Sequence, residues 1–433
     1  MNKLKQTSMI CFVATIMFLW ACENNKPDDF GRTPYDPSKP VRIDSFEPDS
    51  GGMATKVFIN GSNFGSDVSK IKVYFNDLRA SVVGSDGNHL YVITPRRPGR
   101  EVTISVVVNG DSTVCTDKKY LYRTLTTVTT IAGKKGTTDF KGGTLAEAEF
   151  SDVYYLCVDA EDNIFLSHWG TSRGFVLINQ EKDIVQQVYA GEALGVPATD
   201  AEGKRIMAPT DARDGYYYFD PDEQWAPKSR LILHPTTDMI NEGMKDFNLT
   251  NKAGLAFCHH DGYMYTNATN GHLVKFHPVT RVGQLVDVLL SVAGRMCFDP
   301  YQPNILYLSY RTNNTIYRYD INTGEYILYA GVEGIAGWKD GHRLEAEFYS
   351  PYQMVVDQDG SLVVADRLNH CIRRISRDGM VTTVIGKGGI SGYQDGNLED
   401  ALFNNPMGLA IDKNGTIYVA DLGNQVIRKL AVE

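Results

Sequence analysis

The sequence lacks the features that mark several large classes of protein. It has 43 Lys and Arg against 52 Asp and Glu, which gives a net charge of −9, and it contains no basic stripe. That balance argues against unspecific binding to nucleic acid or to an anionic membrane surface. The chain also has no H-E-x-x-H, G-x-S-x-G or P-loop motif, so it carries no familiar hydrolase or nucleotide-binding signature.

Cysteine is scarce and badly spaced for structural bonding. Of the 7 cysteines, those beyond the N-terminal region are at positions 115, 157, 258, 297 and 371. Their number is odd and no pair has the C-x-x-C spacing, which argues against a disulfide framework and against a zinc site. We therefore expect neither a cofactor nor a bound metal.

The chain has no apolar run long enough for a comfortable membrane span. Lys3 and Lys5 precede a short apolar run, Met9 to Trp20, which ends in Leu19-Trp20-Ala21-Cys22. This end resembles the lipobox of bacterial lipoproteins, in which the cysteine receives lipid. The resemblance implies a signal peptide over 1–21, lipidation at Cys22 and a polar, Pro-rich tether over 22–40.

Acidic residues stand close behind that cysteine, at positions 23, 28 and 29. They resemble the surface-export signals of some Gram-negative lipoproteins. We therefore expect a lipid-anchored outer-membrane protein that faces the cell surface, with the periplasmic face as the alternative.

Residues 41–123 read as short alternating strands separated by turn residues. Two segments, Ile43 to Gly52 and Ile59 to Gly65, together with the later Thr94-Pro95, resemble an IPT/TIG immunoglobulin-like domain. The resemblance implies a small β-sandwich that commonly acts as a spacer in secreted bacterial proteins.

From residue 124 to 433 the chain repeats at roughly 40 to 60 residues, the period of propeller blades. The recurring core is an inner strand, a turn and a second strand. Its copies are Val153 to His168, Pro209 to Asp220, Ala253 to Asn267, Gly294 to Tyr310, Pro351 to Asp366 and Pro406 to Asp421. These repeats, and Asn369 to Arg373 in particular, resemble the NHL family, which forms six-bladed β-propellers.

One strand is missing at the C-terminal end and present at the front. Ile372 to Ile375 is followed by Val381 to Gly386, whereas its second copy, Ile427 to Leu430, has no such run behind it. A matching run occurs upstream as Val128 to Gly133. We therefore predict an all-β chain: an Ig-like sandwich, then a six-bladed propeller closed by its own N-terminal strand.

Candidate site residues lie on the face of the propeller with long loops. Trp169 and Trp225 could stack on sugar rings, and Arg311 and Arg367 could meet an anionic ligand such as a uronate. Arg173, in the segment that holds Trp169, is a further candidate ligand-binding residue. The ends of the second strands are predicted to form a ring around the channel, comprising His168, Asp220, Asn267, Tyr310, Asp366 and Asp421. Such a ring could line a ligand site or hold a metal, although Asp366 and Asp421 also fit a structural role.

The function predicted from these features is a non-catalytic, cell-surface binding protein that captures a polysaccharide or oligosaccharide. The resemblance to lipoproteins of bacterial glycan-uptake systems suggests this ligand, and it also suggests protein partners from such a system. Two alternatives remain open at this point. One is a metal-dependent lyase or hydrolase acting in the propeller channel, and the other is a scaffold for protein–protein interaction.

Overall fold

A computed structural model describes residues 33–95, 101–115, 118–123, 126–210, 215–227, 231–237, 240, 254–268, 270–290 and 294–432. They fall into two compact units, one ending at Arg123 and one beginning at Thr126. The predicted signal peptide, Cys22 and most of the predicted tether lie outside the described residues. Within the described ranges, no helix has the length and apolar character required to cross a membrane.

The first unit is a β-sandwich, as predicted. A seven-stranded sheet in the order β1-β3-β6-β5-β4-β8-β9 accompanies a three-stranded sheet in the order β2-β10-β7. The strands are β1 (Arg42–Glu47), β2 (Ser50–Gly51), β3 (Lys56–Gly65), β4 (Ile71–Phe75), β5 (Leu78–Ser85), β6 (Gly87–Ile93), β7 (Glu101–Val102), β8 (Ile104–Val108), β9 (Asp111–Val114) and β10 (Tyr120–Tyr122).

Strict alternation along the strands builds the core of the sandwich. In β4 the side chains of Ile71, Val73 and Phe75 are buried, while Lys72 between them is exposed. Because successive strand residues point to opposite faces, this pattern places one face against the second sheet and the other in water. The core includes an edge-to-face pair between Phe75 and Tyr120, whose ring centroids are 5.3 Å apart.

The second unit is a propeller of six sheets, and its first half runs as follows. The strands are β11 (Thr126–Gly133), β12 (Asp152–Val158), β13 (Ile164–Trp169), β14 (Gly174–Asn179), β15 (Ile184–Ala190), β16 (Ala198–Thr199), β17 (Ile206–Pro209), β18 (Tyr216–Phe219), β19 (His234–Pro235), β20 (Leu255–Phe257), β21 (Met264–Asn267), β22 (His272–Phe276) and β23 (Val282–Val288). Blade one is β12 to β15, blade two contains β16 to β18, and blade three is β20 to β23 with β19 beside β23.

The second half completes the ring. The strands are β24 (Arg295–Phe298), β25 (Ile305–Tyr310), β26 (Thr315–Asp320), β27 (Tyr326–Ala330), β28 (Gly341–His342), β29 (Pro351–Val356), β30 (Leu362–Asp366), β31 (Cys371–Ile375), β32 (Met380–Gly386), β33 (Gly396–Asn397), β34 (Pro406–Ile411), β35 (Ile417–Asp421) and β36 (Val426–Val432). Blade four is β24 to β27, and blade five is β29 to β32 with β28 at its edge. Short 3-10 turns lie at Val68–Lys70, Pro221–Glu223, Arg367–Asn369 and Leu422–Asn424.

The ring closes through β11, which confirms the predicted strand exchange. Blade six has the order β33-β11-β36-β35-β34. In the β11–β36 pair, Val128 lies opposite Leu430, Thr130 opposite Arg428 and Gly133 opposite Val426. The strand that opens the propeller therefore covers the edge that its last strand would otherwise expose.

Blade two follows a different phase from the one predicted. The sequence copy Pro209 to Asp220 was expected to hold an inner strand and a second strand, but its strands are the second and third of the blade. The inner strand is β16, which contacts the inner strands β12 and β20 of the neighbouring blades. The hairpin glycine is Gly203, with φ 69°, and its amide donates to the Asp200 carbonyl at 3.0 Å, just as the Gly415 amide donates to the Asp412 carbonyl at 2.9 Å.

Two faces follow from this hairpin geometry. We call the face with the turns between first and second strands, such as 200–203 and 412–415, the turn face. The opposite face carries the loops that lead into the inner strands, and we call it the mouth face. Each inner strand runs from the mouth face towards the turn face, so its first residues surround the upper end of the central channel.

Candidate functional site

The central channel is divided into two compartments by side chains that cross it. The buried Gln353 side chain of blade five reaches the backbone of Leu156 in blade one, accepting from its N–H at 3.1 Å and donating to its carbonyl at 2.6 Å. Blades five and one are separated by blade six, so this amide spans the channel in front of β34. Below it lies a cavity of about 320 Å³ that opens towards the turn face.

A buried arginine forms the second part of the partition. Arg295 begins the inner strand of blade four, which stands opposite blade one in a ring of six. Its Nη2 donates to the hydroxyl of Tyr155 at 3.0 Å and to the hydroxyl of Tyr352 at 2.7 Å. Its guanidinium carbon is 3.9 Å from the centroid of the Tyr352 ring. The two phenol rings stack at 6.0 Å with 17° between their planes, so the three side chains make a rigid floor for the upper compartment.

An aromatic pair stands beside this floor. The indole of Trp169 stacks on the phenol of Tyr154, with centroids 4.3 Å apart and planes 7° apart. The Trp169 Nε1–H donates to the Leu194 carbonyl at 2.8 Å, which fixes the ring orientation. Together the two rings line an open groove with Asp152, Gly170, Thr171 and Arg173. The predicted Trp169 thus lies at the edge of the channel, although one of its faces is covered by Tyr154.

Two further arginines reach the same floor. The Nη1 of Arg311 is 3.4 Å from the hydroxyl of Tyr352, and the Arg367 guanidinium is 5.7 Å from the centroid of its ring. Arg311 is exposed and Arg367 is half-buried. Their charges act on Tyr154 as well, where they oppose the rise in its pKa that burial causes. We call the set Tyr154, Trp169, Tyr352, Arg295, Arg311 and Arg367 the channel mouth.

His168 does not belong to the channel mouth, contrary to the prediction. The ring is fully buried between Phe140 and Phe150. Its Nε2 accepts from the Ser151 backbone N–H at 3.1 Å, and its Nδ1 lies 2.9 Å from the Ser172 carbonyl. Burial lowers the pKa of His168, and a neutral ring with its proton on Nδ1 satisfies both bonds. The side chain holds the loop to the blade.

Asp366 and Asp421 perform the same task in blades five and six. The Oδ1 of Asp366 accepts from the Tyr349 N–H at 2.8 Å, and the Oδ1 of Asp421 accepts from the Asn404 N–H at 2.8 Å. Each carboxylate also pairs with a fully buried arginine at 2.9 Å, Arg373 and Arg428 respectively. Burial raises the pKa of both carboxyls to about 6.

The predicted ring of second-strand ends therefore does not open to the channel. Tyr310 is fully buried, contrary to its predicted place around the channel, and its hydroxyl accepts from the Tyr326 hydroxyl at 2.9 Å. Asn267 is also fully buried. Asp220 lies at the end of a third strand, where its Oδ2 accepts from Arg205 at 2.9 Å. In the described part of the chain, no group of three or more His, Cys, Asp or Glu is placed to hold a metal.

Trp225 lies on the face opposite to the one predicted. It follows the third strand of blade two and packs edge-on against Phe165, with centroids 4.6 Å apart. Around it are the turn residues Asp159, Glu161 and Glu202 through Arg205. Trp169 and Trp225 therefore cannot contact one ligand together. The sequence-based prediction shifted blade two by one strand, and for that reason it also assigned Trp225 to the wrong face.

Arg173 lies at the outer end of the groove beside Trp169, exposed, with its Nε donating to the Gly170 carbonyl at 3.2 Å. The predicted residues that the structure brings together are thus Trp169, Arg173, Arg311 and Arg367. The residues of the site that were not predicted from the sequence are Tyr154, Tyr155, Tyr352 and Arg295. All four lie within the first four residues of an inner strand, the part of the strand that is nearest the mouth face.

Comparison with family models identifies two kinds of module. Residues 40–122 match the IPT/TIG domain, and residues 403–430 match the NHL repeat. The chain therefore contains an IPT/TIG domain and an NHL repeat, in agreement with the resemblances seen in the sequence.

Curated relatives share only part of their length with this chain. NHL repeat-containing protein 2 of Gallus gallus is 44% identical over 84 residues, which are 19% of this chain and 11% of that protein. The chloroplastic protein SUPPRESSOR OF QUENCHING 1 of Arabidopsis thaliana is 29% identical over 129 residues, or 28% of this chain and 12% of that protein. The chain thus covers about a tenth of the relatives it matches.

Solved structures match almost the whole chain. A structural genomics protein of unknown function from Bacteroides thetaiotaomicron is 27% identical, with a TM-score of 0.77 over 93% of this chain and 100% of the other. An auxiliary nutrient binding protein from the same species is also 27% identical, with a TM-score of 0.61 over 92% of this chain and 99% of the other. The shared architecture spans both units.

Proposed function

We propose that this protein is a binding protein of the bacterial cell envelope that captures an extracellular polysaccharide or oligosaccharide at the channel mouth. The likeness to an auxiliary nutrient binding protein, which extends over 92% of the chain, supports a role in nutrient capture. In this proposal the sandwich is a spacer, and other proteins of an uptake system receive the ligand.

The observation that carries the proposal is the stacked pair Tyr154 and Trp169 beside an open groove. An aromatic plate covers the apolar C–H face of a sugar ring, while neighbouring polar groups orient its hydroxyls. The groove supplies both, because the carboxylate of Asp152 and the guanidinium of Arg173 line it with the two rings. The rings are already stacked and the indole is already hydrogen-bonded, so little ordering is required on binding.

A glycan panel tests the proposal on the full-length protein. We expect retardation in affinity electrophoresis by at least one polysaccharide, and we expect Trp169→Ala to reduce the affinity about 10-fold to 100-fold, since stacking and ordering of the groove are both lost. Trp338→Ala is the matched control, because this exposed indole contacts Thr383 outside the mouth. Absence of any glycan binding, or equal losses in both variants, would contradict the proposal.

The proposed location rests on Cys22, which would carry the lipid that anchors the protein in the outer membrane. A lipid-anchored protein fractionates with membranes, so Cys22→Ala should move it to the soluble fraction. Retention of that variant on membranes would contradict the anchor while leaving glycan capture intact.

A further inference from the structure

We infer that the glycan taken by the channel mouth is acidic, and that Arg311 and Arg367 read a uronate carboxylate while Trp169 and Tyr154 hold its sugar ring or the next one. This inference rests on the proposed function and specifies its ligand. It begins from the charge at the mouth, which has the opposite sign to that of the whole protein. The chain carries a net charge of −9, yet three guanidinium groups contact one tyrosine, Tyr352.

Two fully buried arginines, Arg373 and Arg428, are each paired with carboxylates. Arg373 pairs with Asp366 at 2.9 Å and with Asp340 at 2.8 Å, and it donates to two backbone carbonyls as well. Arg428 pairs with Asp421 at 2.9 Å and with Asp395 at 2.6 Å. Each of these two guanidinium groups is therefore accompanied by two carboxylates.

Arg311 and Arg367 have a different environment. Among the described residues, neither has an ion-pair partner within 4.0 Å. The Nε of Arg367 is buried without a hydrogen-bond acceptor in the described part of the chain, as are the Nε atoms of Arg373 and Arg428, so the difference between them lies in the missing carboxylates. Their contacts are with the phenol of Tyr352, which offers a π-face and one oxygen but no negative charge. Like charges close together raise the free energy of the empty site, and an anionic ligand removes that penalty.

The chemistry of the donors favours a carboxylate. A guanidinium presents paired N–H donors in one plane and matches the two oxygens of a carboxylate. Arg295 marks the bottom of the site, because its Nη2 donates to the Tyr155 and Tyr352 hydroxyls in the floor. The aromatic pair alongside requires that the anion be attached to a ring with an apolar face. A hexuronic acid unit within a polysaccharide meets both requirements.

The test compares acidic polymers with their reduced counterparts. Full-length protein is titrated with polygalacturonate, alginate and hyaluronan, each beside a form in which the carboxylates have been reduced to alcohols. We expect at least one acidic polymer to bind and its reduced form to bind about 10-fold to 100-fold more weakly, the effect of losing a charge-assisted hydrogen bond. Added salt should weaken binding of the acidic form more than that of the reduced form.

Variants locate the effect at the mouth. Arg311→Gln and Arg367→Gln should each abolish the preference for the acidic form, while the conservative Arg→Lys changes should restore part of it, since they keep charge but lose the paired donors. Arg374→Gln is the control, because this half-exposed arginine pairs with Asp359 on the turn face. Unchanged circular dichroism and melting temperature show that the variants fold.

The outcomes separate this inference from the proposed function. If a neutral glycan binds in a manner that depends on Trp169 but not on Arg311 or Arg367, glycan capture stands and the acidic ligand is overturned. If sulfated polymers bind and carboxylated ones do not, the uronate is also overturned. If no polysaccharide of either kind binds, both proposals fail together.

Discussion

At the scale of single residues, blades one, five and six of the propeller use one position for the same structural task but with different side chains. At the end of the second strand, Asp366, Asp421 and His168 each accept a backbone N–H from the loop that enters their blade. The aspartates require a buried arginine as counter-ion, whereas the histidine accepts as a neutral ring. These three buried side chains are satisfied by the fold and are therefore unavailable to a ligand.

Breaking one of these pairs should be costly. Asp366→Asn would remove the buried carboxylate partner of Arg373 and leave only the half-exposed Asp340 as its counter-ion. We expect a loss of about 3–5 kcal/mol in the free energy of unfolding. Asp359→Asn is the control, because its partner Arg374 is exposed to solvent, and surface pairs contribute about 0–1 kcal/mol. Urea denaturation measures both.

A second variant separates charge from shape. In Asp366→Asn combined with Arg373→Met, no unpaired charge remains buried, so the loss should be smaller than in the single variant. A double variant that is as unstable as the sum of its parts would contradict this account.

At the scale of elements, the closing strand was predictable because it is a displaced copy of a repeated one. Val128 to Gly133 matches the outer strand of blade five in sequence, and only ring closure gives such a strand a partner. The copy also has the burial that a partnered strand requires, with Val128 inside and Thr129 outside.

Blade two was misread for an equally local reason. Pro209 and Gly215 imitate the proline that begins other inner strands and the glycine of their hairpins. The better signal was Asp200 to Gly203, which shares its D-x-x-G spacing with Asp412 to Gly415. The aspartate accepts backbone amides in each turn, so the spacing has a physical cause.

The candidate site was only half predictable from sequence. Trp169, Arg311 and Arg367 could be picked out because each directly follows the end of a second-strand copy, where a loop of the mouth face begins. Tyr352 and Arg295 lie within inner strands, where a large side chain reads as core. Their side chains meet in the channel only because of which blades lie next to or opposite one another in the ring. That arrangement cannot be recognised from any short stretch of sequence.

A charge placed in the closing strand tests ring closure. Val128 is buried in the core of blade six, so Val128→Lys should lower the free energy of unfolding by more than about 3 kcal/mol and speed hydrogen exchange along β36. Thr129→Lys, one residue away and exposed, should stay within about 0.5 kcal/mol of the natural protein. Equal effects at the two positions would argue against the seam described.

At the scale of the whole molecule, each unit has its own core. The cluster around Phe46, Val73 and Phe75 draws only on residues 35–122, whereas the propeller clusters draw only on residues from 128 onwards. A unit with a separate core can unfold separately.

Calorimetry tests that independence. Phe75→Ala removes a fully buried ring and should destabilise the sandwich by about 3–5 kcal/mol, lowering one thermal transition and leaving the propeller transition and glycan affinity unchanged. Phe58→Ala is the control, since that ring is 53% exposed. If Phe75→Ala shifts every transition together, the two cores are coupled.

The side chains that partition the channel also determine from which face a ligand can enter and leave it. Gln353 joins blade five to blade one past blade six, and Arg295 joins blade four to the opposite blade one, so the channel is a cup and not a tube. A sugar chain can dip one of its units into such a cup but cannot be threaded to the far side. A ligand captured at the channel mouth, as proposed, would therefore leave from the mouth face by which it entered, and a recipient protein would approach from that same face.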